Sequence, residues 1–174
     1  MKTGARKPLS LSKIRLLVLD VDGVLTDGRL YFGPKGEALK VFHVRDGHGI
    51  KLLMGNGVRV AAISGRRATA VTARMRELGV DTVVQGCNDK VAALQTVAGA
   101  LNIPLKECAC LVDDTPDMPL MSSVGFAGAV ADAHPLVIRA AHWVSAAPGG
   151  QGAVRELCDA ILRARAGRTT SGGL

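Results

Sequence analysis

Continuous apolar runs, rather than alternating ones, punctuate this chain. Ile14 to Leu19, Val58 to Ile63 and Cys108 to Val112 are the clearest, with weaker runs at Thr82 to Val84 and Gly125 to Ala127. A run without polar alternation is the signature of a strand covered on both faces. Between the runs lie stretches that read as helices, at about 47–55, 67–78 ending at Gly79, 89–102, 117–123 and 152–165. Strands alternating with helices predict an α/β fold, a central parallel sheet with right-handed crossovers and flanking helices.

One segment breaks the alternation. Residues 28–44, GRLYFGPKGEALKVFHV, hold two short apolar runs around Gly-Pro-Lys-Gly and predict a β-hairpin directly after the first strand. No repeat or internal linker interrupts the rest. The expected organisation is a basic N-terminal tail at 1–13, one domain at 14–165, and a flexible Gly/Ser/Thr/Arg-rich tail at 166–174.

Parallel sheets bind ligands beyond the carboxyl ends of their strands, so those ends are where chemistry is sought. They carry Asp20 and Asp22, then Ser64 with Arg66, then Asp113, Asp114 and Asp117, while Lys90 opens the helix between the second and third groups. Any one of these acids could be an ordinary helix cap. Arriving in register, they form a candidate site. Close carboxylates cannot all ionise without a cation between them, and hard oxygen ligands select magnesium or calcium. Asp20 and Asp113 suit that role. A carboxylate such as Asp20 can attack phosphorus, Asp22 can serve as acid and base if the chain turns at Gly23, Ser64 can donate to a phosphoryl oxygen, and Lys90 can neutralise one.

Charge alters this picture little. The formal net charge is +7, but residues 1–13 and 163–174 carry seven basic and no acidic side chains, leaving 15 of each sign in between. Excess confined to the ends argues against a nucleic-acid partner. Cys87, Cys108, Cys110 and Cys158 have neither zinc spacing nor disulfide density and read as reduced thiols. With no apolar stretch long enough for a membrane span, a cytoplasmic location is expected.

DVDGVLTDG at 20–28, SGR at 64–66, Lys90 and DDTPD at 113–117 resemble the four ordered motifs of the haloacid dehalogenase superfamily. FHVRDGHGIKLL (42–53), ISGRRA (63–68), QGCNDK (85–90), VADAHP (130–135) and GGQGAVRE (149–156) resemble, more narrowly, the 3-deoxy-D-manno-octulosonate 8-phosphate (KDO 8-phosphate) phosphatase family, over roughly residues 14–165. The resemblance implies a Rossmann-like core and a Mg2+-dependent phosphatase acting on an eight-carbon sugar acid of lipopolysaccharide biosynthesis. It implies that Asp20 is nucleophile and metal ligand, that Asp22 is acid/base and binds metal through its carbonyl, and that Asp113 completes the ligands, with Asp114 and Asp117 in support. Ser64 and Lys90 would hold the phosphoryl group. Asp22, His43, Val44, Arg45, Asp46, Gly47, Lys51, Arg66, Arg74 and Lys90 match substrate-site positions, where guanidinium groups suit a sugar-acid carboxylate.

The chain departs from the family pattern at Val112, usually Gly, whose side chain is expected to press on Asp113. Gln151 stands for a usual Arg, Lys51 for a frequent Arg and Ser64 for a frequent Thr. The spacings from Asp20 to Ser64 and from Ser64 to Lys90 leave no room for a cap domain, so a neighbouring subunit is expected to shield the site, and the resemblance implies a homotetramer with contacts through the hairpin. Alternative readings are a phosphatase of nine-carbon sialic-type acid 9-phosphates, a catalytically weak assembly subunit, and a phosphoacceptor signalling domain, against which Asp22 argues.

Overall fold

In a computed structural model, which describes residues 9–169, the first apolar run becomes β1 (Leu16–Leu19), every residue of it buried. The hairpin strands follow as β2 (Tyr31–Gly33) and β3 (Gly36–Leu39), then β4 (Arg59–Ser64), β5 (Thr82–Gln85), β6 (Cys108–Val112), β7 (Phe126–Ala129) and β8 (Trp143–Val144). Apart from β2 and β3, the strands form one parallel sheet in the order β5-β4-β1-β6-β7-β8. Val, Leu, Ile and Ala dominate its strands because helices cover both faces and leave no polar side.

The helices are α1 (Val44–Gly55), α2 (Thr69–Leu78), α3 (Lys90–Ala100), α4 (Met118–Ser123), α5 (Pro135–Ala140) and α6 (Ala153–Thr169). Several of their ends have a visible local cause. The His43 ring accepts from the Arg45 N–H at the head of α1, Asp89 caps α3 through the Val91 and Ala92 N–H groups, and Gly79 ends α2 at φ 79°. In one group α1 packs on α6, and in another α3 contacts α4, which contacts α5. No cap domain is inserted among the described residues. A short irregular turn, the hairpin and α1 separate β1 from β4.

Several boundaries differ from expectation. Leu9 to Lys13 are not free tail: the Leu9 N–H donates to the Gly125 carbonyl at 2.9 Å, a short helical turn covers Leu11–Lys13, and Leu9 and Leu11 pack on the core. At the other end α6 runs four residues past 165, and the Arg165 guanidinium donates to the Ile14 and Asn56 carbonyls. The remainder of both expected tails lies outside the described residues. The short α5 and the two-residue β8 have no counterpart in the sequence reading, being too brief to show periodicity. Cys108, Cys110 and Cys158 are buried and all four cysteines are free. No helix among the described residues is long and apolar enough to cross a membrane.

The hairpin leaves Leu30, Tyr31, Phe32 and Leu39 exposed, Phe32 by 67%. Its small surface is unusually apolar for one left to water.

The α1–α6 contact anchors the region that carries Asp46, and Leu157 of α6 is fully buried. Leu157→Ala is expected to cost about 2–5 kcal/mol in denaturant unfolding.

Candidate active site

The topology converges the chemistry on one sheet edge. Because β1 pairs with both β4 and β6, the residues leaving these three strands, Asp20, Ser64 and Asp113, become neighbours. With Asp22, Arg66, Lys90, Asp114 and Asp117 they line a cleft of about 420 Å³. Carboxylate oxygens of Asp20, Asp113 and Asp117 all lie within 4.8 Å of one another.

After Asp20 the chain makes an irregular turn, Val21–Leu25, with Gly23 at φ 89°. Two constraints select glycine there, since the left-handed backbone disfavours a side chain and a Cβ would collide with the Asp113 carboxylate. Thr26, fully enclosed, ties the turn together: its hydroxyl accepts from the Gly23 and Gly28 N–H groups, both at 3.3 Å, and donates to the Val21 carbonyl at 3.4 Å. From outside, the Gly150 N–H donates to the Val24 carbonyl at 2.9 Å, while the Gly149 N–H is held by Asp132 at 2.9 Å. Gly149 sits so close to the Gly23 carbonyl that a Cβ there would overlap it. The VADAHP and GGQG stretches thus brace the turn that aims Asp22. Thr26, Asp132 and Gly149 are not among the candidate residues named from sequence, although all lie inside the quoted motifs.

Lys90, at the head of α3, places its ammonium 2.8 Å from Asp20 and 2.7 Å from Asp117. Burial works against its charge, but the two carboxylates outweigh it and raise its pKa. One ammonium does not neutralise three acids. Burial first, and the Asp20 charge next, push Asp113 up to about 7, and the same causes push Asp117 up to about 6 with Lys90 opposing. This donor set fits a divalent cation. Lys90 pairs with Asp20 and Asp117 alike, and the carboxylates of this cluster could supply the one or two that magnesium takes. The Asp22 carboxylate points elsewhere, into an ion pair with Lys40.

The departure at Val112 is absorbed. Val112 is fully buried at the end of β6, opposite Ala129 of β7, and the Asp113 carbonyl beyond it accepts from the His134 N–H at 2.7 Å. Asp114 caps the next turn through the Thr115 N–H. Ser64 is buried, and its hydroxyl accepts from the Arg66 N–H at 3.1 Å.

The remaining substrate candidates lie away from this cleft. His43, Val44, Arg45, Asp46, Gly47, Lys51 and Arg74 are absent from the cleft lining of their own chain. Asp46 is 1% exposed and spends its carboxylate on the Gly152 and Arg155 N–H groups, at 3.3 and 2.8 Å, at the start of α6. Gly47 is buried under the Arg74 guanidinium, where a Cβ would clash, and Arg74 itself pairs with Glu77 at 2.9 Å. All three make contacts that hold α1, α2 and α6 in place. Gln151 lines a separate surface hollow with Arg45, Arg155 and Glu156.

Comparison with known proteins bears on this geometry. Residues 87–157 match the haloacid dehalogenase-like hydrolase family. The chain is 47% identical over 154 residues to the 3-deoxy-D-manno-octulosonate 8-phosphate phosphatase KdsC of Yersinia pestis, covering 88% of this chain and 82% of the relative. It belongs to the KDO 8-phosphate phosphatase family. A crystal structure of the Yersinia pestis phosphatase superposes with a TM-score of 0.88 at 46% identity, covering 90% of this chain and 85% of that one. The KDO 8-phosphate phosphatase of Moraxella catarrhalis, solved with magnesium, phosphate and KDO, superposes with a TM-score of 0.87 at 34% identity, covering 94% and 96%.

The raised Asp113 sets the sign of a pH effect in metal-free protein. Its folded-state pKa exceeds the ordinary 3.8, so its contribution to stability is fully present below about pH 4 and is lost as pH rises through about 7. Asp113→Asn removes that loss. In chelator the variant is expected to melt above the parent at about pH 8 and level with it at about pH 4, and a gap that does not vary with pH would contradict the crowding.

Proposed function

We propose that this chain is a magnesium-dependent phosphatase that hydrolyses 3-deoxy-D-manno-octulosonate 8-phosphate to KDO and inorganic phosphate, through a phosphoryl group carried on Asp20. The observation that carries this reading is the convergence of Asp20, Asp113, Lys90 and Ser64 in one cleft with Asp22 beside it, in a member of this phosphatase family.

In the first half-reaction an Asp20 oxygen attacks phosphorus, the bond from phosphorus to the sugar C8 oxygen breaks, and Asp22 gives that oxygen a proton. In the second, Asp22 takes a proton from water as the water oxygen attacks phosphorus, and phosphate departs with Asp20 restored. Ser64 donates its hydroxyl proton to a phosphoryl oxygen, and Lys90 places positive charge beside it. Asp20, Asp113 and the Asp22 carbonyl would hold magnesium, whose charge would screen the phosphoryl oxygens from these acids. Arg66, 43% exposed at the cleft, is suited to the sugar-acid carboxylate.

The chain works as a homotetramer in the cytoplasm, on the lipopolysaccharide route. Supporting assembly are the exposed apolar hairpin and a cleft with no cap of its own to exclude water. His43, Val44, Arg45 and Lys51, which lie off the cleft of their own chain, reach substrate across a subunit boundary in this arrangement.

Phosphate release tests the reading. Purified protein with magnesium is expected to prefer KDO 8-phosphate over a nine-carbon sialic-type acid 9-phosphate, to stop in chelator, and to lose more than about 10³-fold in kcat as Asp20→Asn. Preference for the nine-carbon substrate would reassign the specificity. Release from neither would overturn the proposal.

A further inference from the structure

The hairpin meets the cleft residues Asp22 and Arg66 through two residues that play no part in the mechanism above. Lys40, just past β3, has a side chain only 2% exposed, and its ammonium makes ion pairs with Oδ1 of Asp22 and, at 2.6 Å, with Oε1 of Glu37. The other Glu37 oxygen, Oε2, accepts from Arg66 Nη2 at 3.0 Å, and Arg66 Nε returns to Oδ2 of Asp22 at 3.9 Å. Asp22, Lys40, Glu37 and Arg66 therefore close a ring of alternating charge. Both sides of the ring are reinforced electrostatically. Burial opposes the Lys40 charge but its two carboxylate partners outweigh that and raise its pKa, while hydrogen bonding from Lys40 lowers that of Glu37.

Burying an ammonium is costly without a partner, so its position is selected by what it holds. A carboxylate on one methylene rotates freely between staggered wells unless its oxygens are tied. Asp22 lies within the irregular Val21–Leu25 turn with its own backbone extended, at φ −77° and ψ 118°. Lys40 ties Oδ1 tightly and leaves Oδ2, facing only the more distant Arg66, to meet a reacting oxygen.

We propose that Lys40 is a positioning residue that fixes the Asp22 carboxylate for proton transfer to the leaving oxygen, with Glu37 anchoring Lys40 from the hairpin. The inference rests on the phosphatase reading given above. It makes the hairpin a structural part of the acid/base apparatus as well as an apolar surface, and it predicts a defect confined to substrates whose leaving group needs a proton.

That selectivity supplies the test. A sugar alkoxide leaves only with a proton, whereas p-nitrophenolate leaves without one, and kcat/KM reports the first phosphoryl transfer and not the later hydrolysis. Lys40→Met is expected to lower kcat/KM for KDO 8-phosphate by about 10²-fold through kcat, and for p-nitrophenyl phosphate by less than about tenfold. Glu37→Gln, which keeps Lys40 and the side-chain volume, is expected to lower the same ratio in the same direction by a smaller factor. It decides the matter if Lys40→Met melts early by circular dichroism. Equal losses on both substrates, a loss confined to KM, or unchanged kinetics would overturn the assignment. Should the parent protein ignore KDO 8-phosphate but hydrolyse another primary alkyl phosphate, the substrate reading alone fails, and the alkyl-to-aryl ratio on that compound still judges Lys40.

Discussion

Three carboxylates, Asp20, Asp113 and Asp117, share a small volume with a single ammonium, that of Lys90, and most of the molecule can be understood as the means of enforcing that arrangement. Such crowding is unfavourable for the isolated chain, as the elevated Asp113 and Asp117 show. It persists because the sheet leaves no alternative. β1 is flanked by β4 and β6 in parallel register, the Asp20 N–H is bound to the Leu111 carbonyl, and the Asp113 carboxylate sits where a side chain on Gly23 would be. The repulsion held in this way is what a divalent cation relieves on binding.

Around that centre the chain places braces far apart in sequence. Asp46 fastens the start of α6 to α1 across more than a hundred residues, and the loop before α6 lies on the Gly23 turn through Gly149 and Gly150. Lys40 and Glu37 fasten the hairpin to Asp22 from the other side. The C-terminal helix and the hairpin are therefore both coupled to the geometry of the same short turn.

The strand-end residues were legible because a parallel sheet delivers every strand's carboxyl end to one edge, so Asp20, Ser64 and Asp113 follow from the apolar runs alone. The hairpin was legible from Gly-Pro-Lys-Gly, but its inward charges were not, since Glu37 and Lys40 look like ordinary solvated residues beside a turn. The packing of Asp46 and Arg74 was not legible either. Their types suit a sugar acid, yet burial commits one to backbone N–H groups of α6 and folds the other over Gly47, and such long-range packing leaves no local pattern. Val112 was expected to disturb Asp113; instead its side chain joins the core, because the strand continues straight to that residue.

The claim on which the rest depends is that the carboxylate cluster is built for a cation. Calorimetric titration of metal-free protein with magnesium at about pH 6, repeated in buffers of different ionisation enthalpy, measures it directly. One ion per chain is expected to bind with release of protons, because Asp113, raised to about 7, must give its proton up to receive it. Absence of binding at millimolar magnesium, or binding with no proton released, would contradict it.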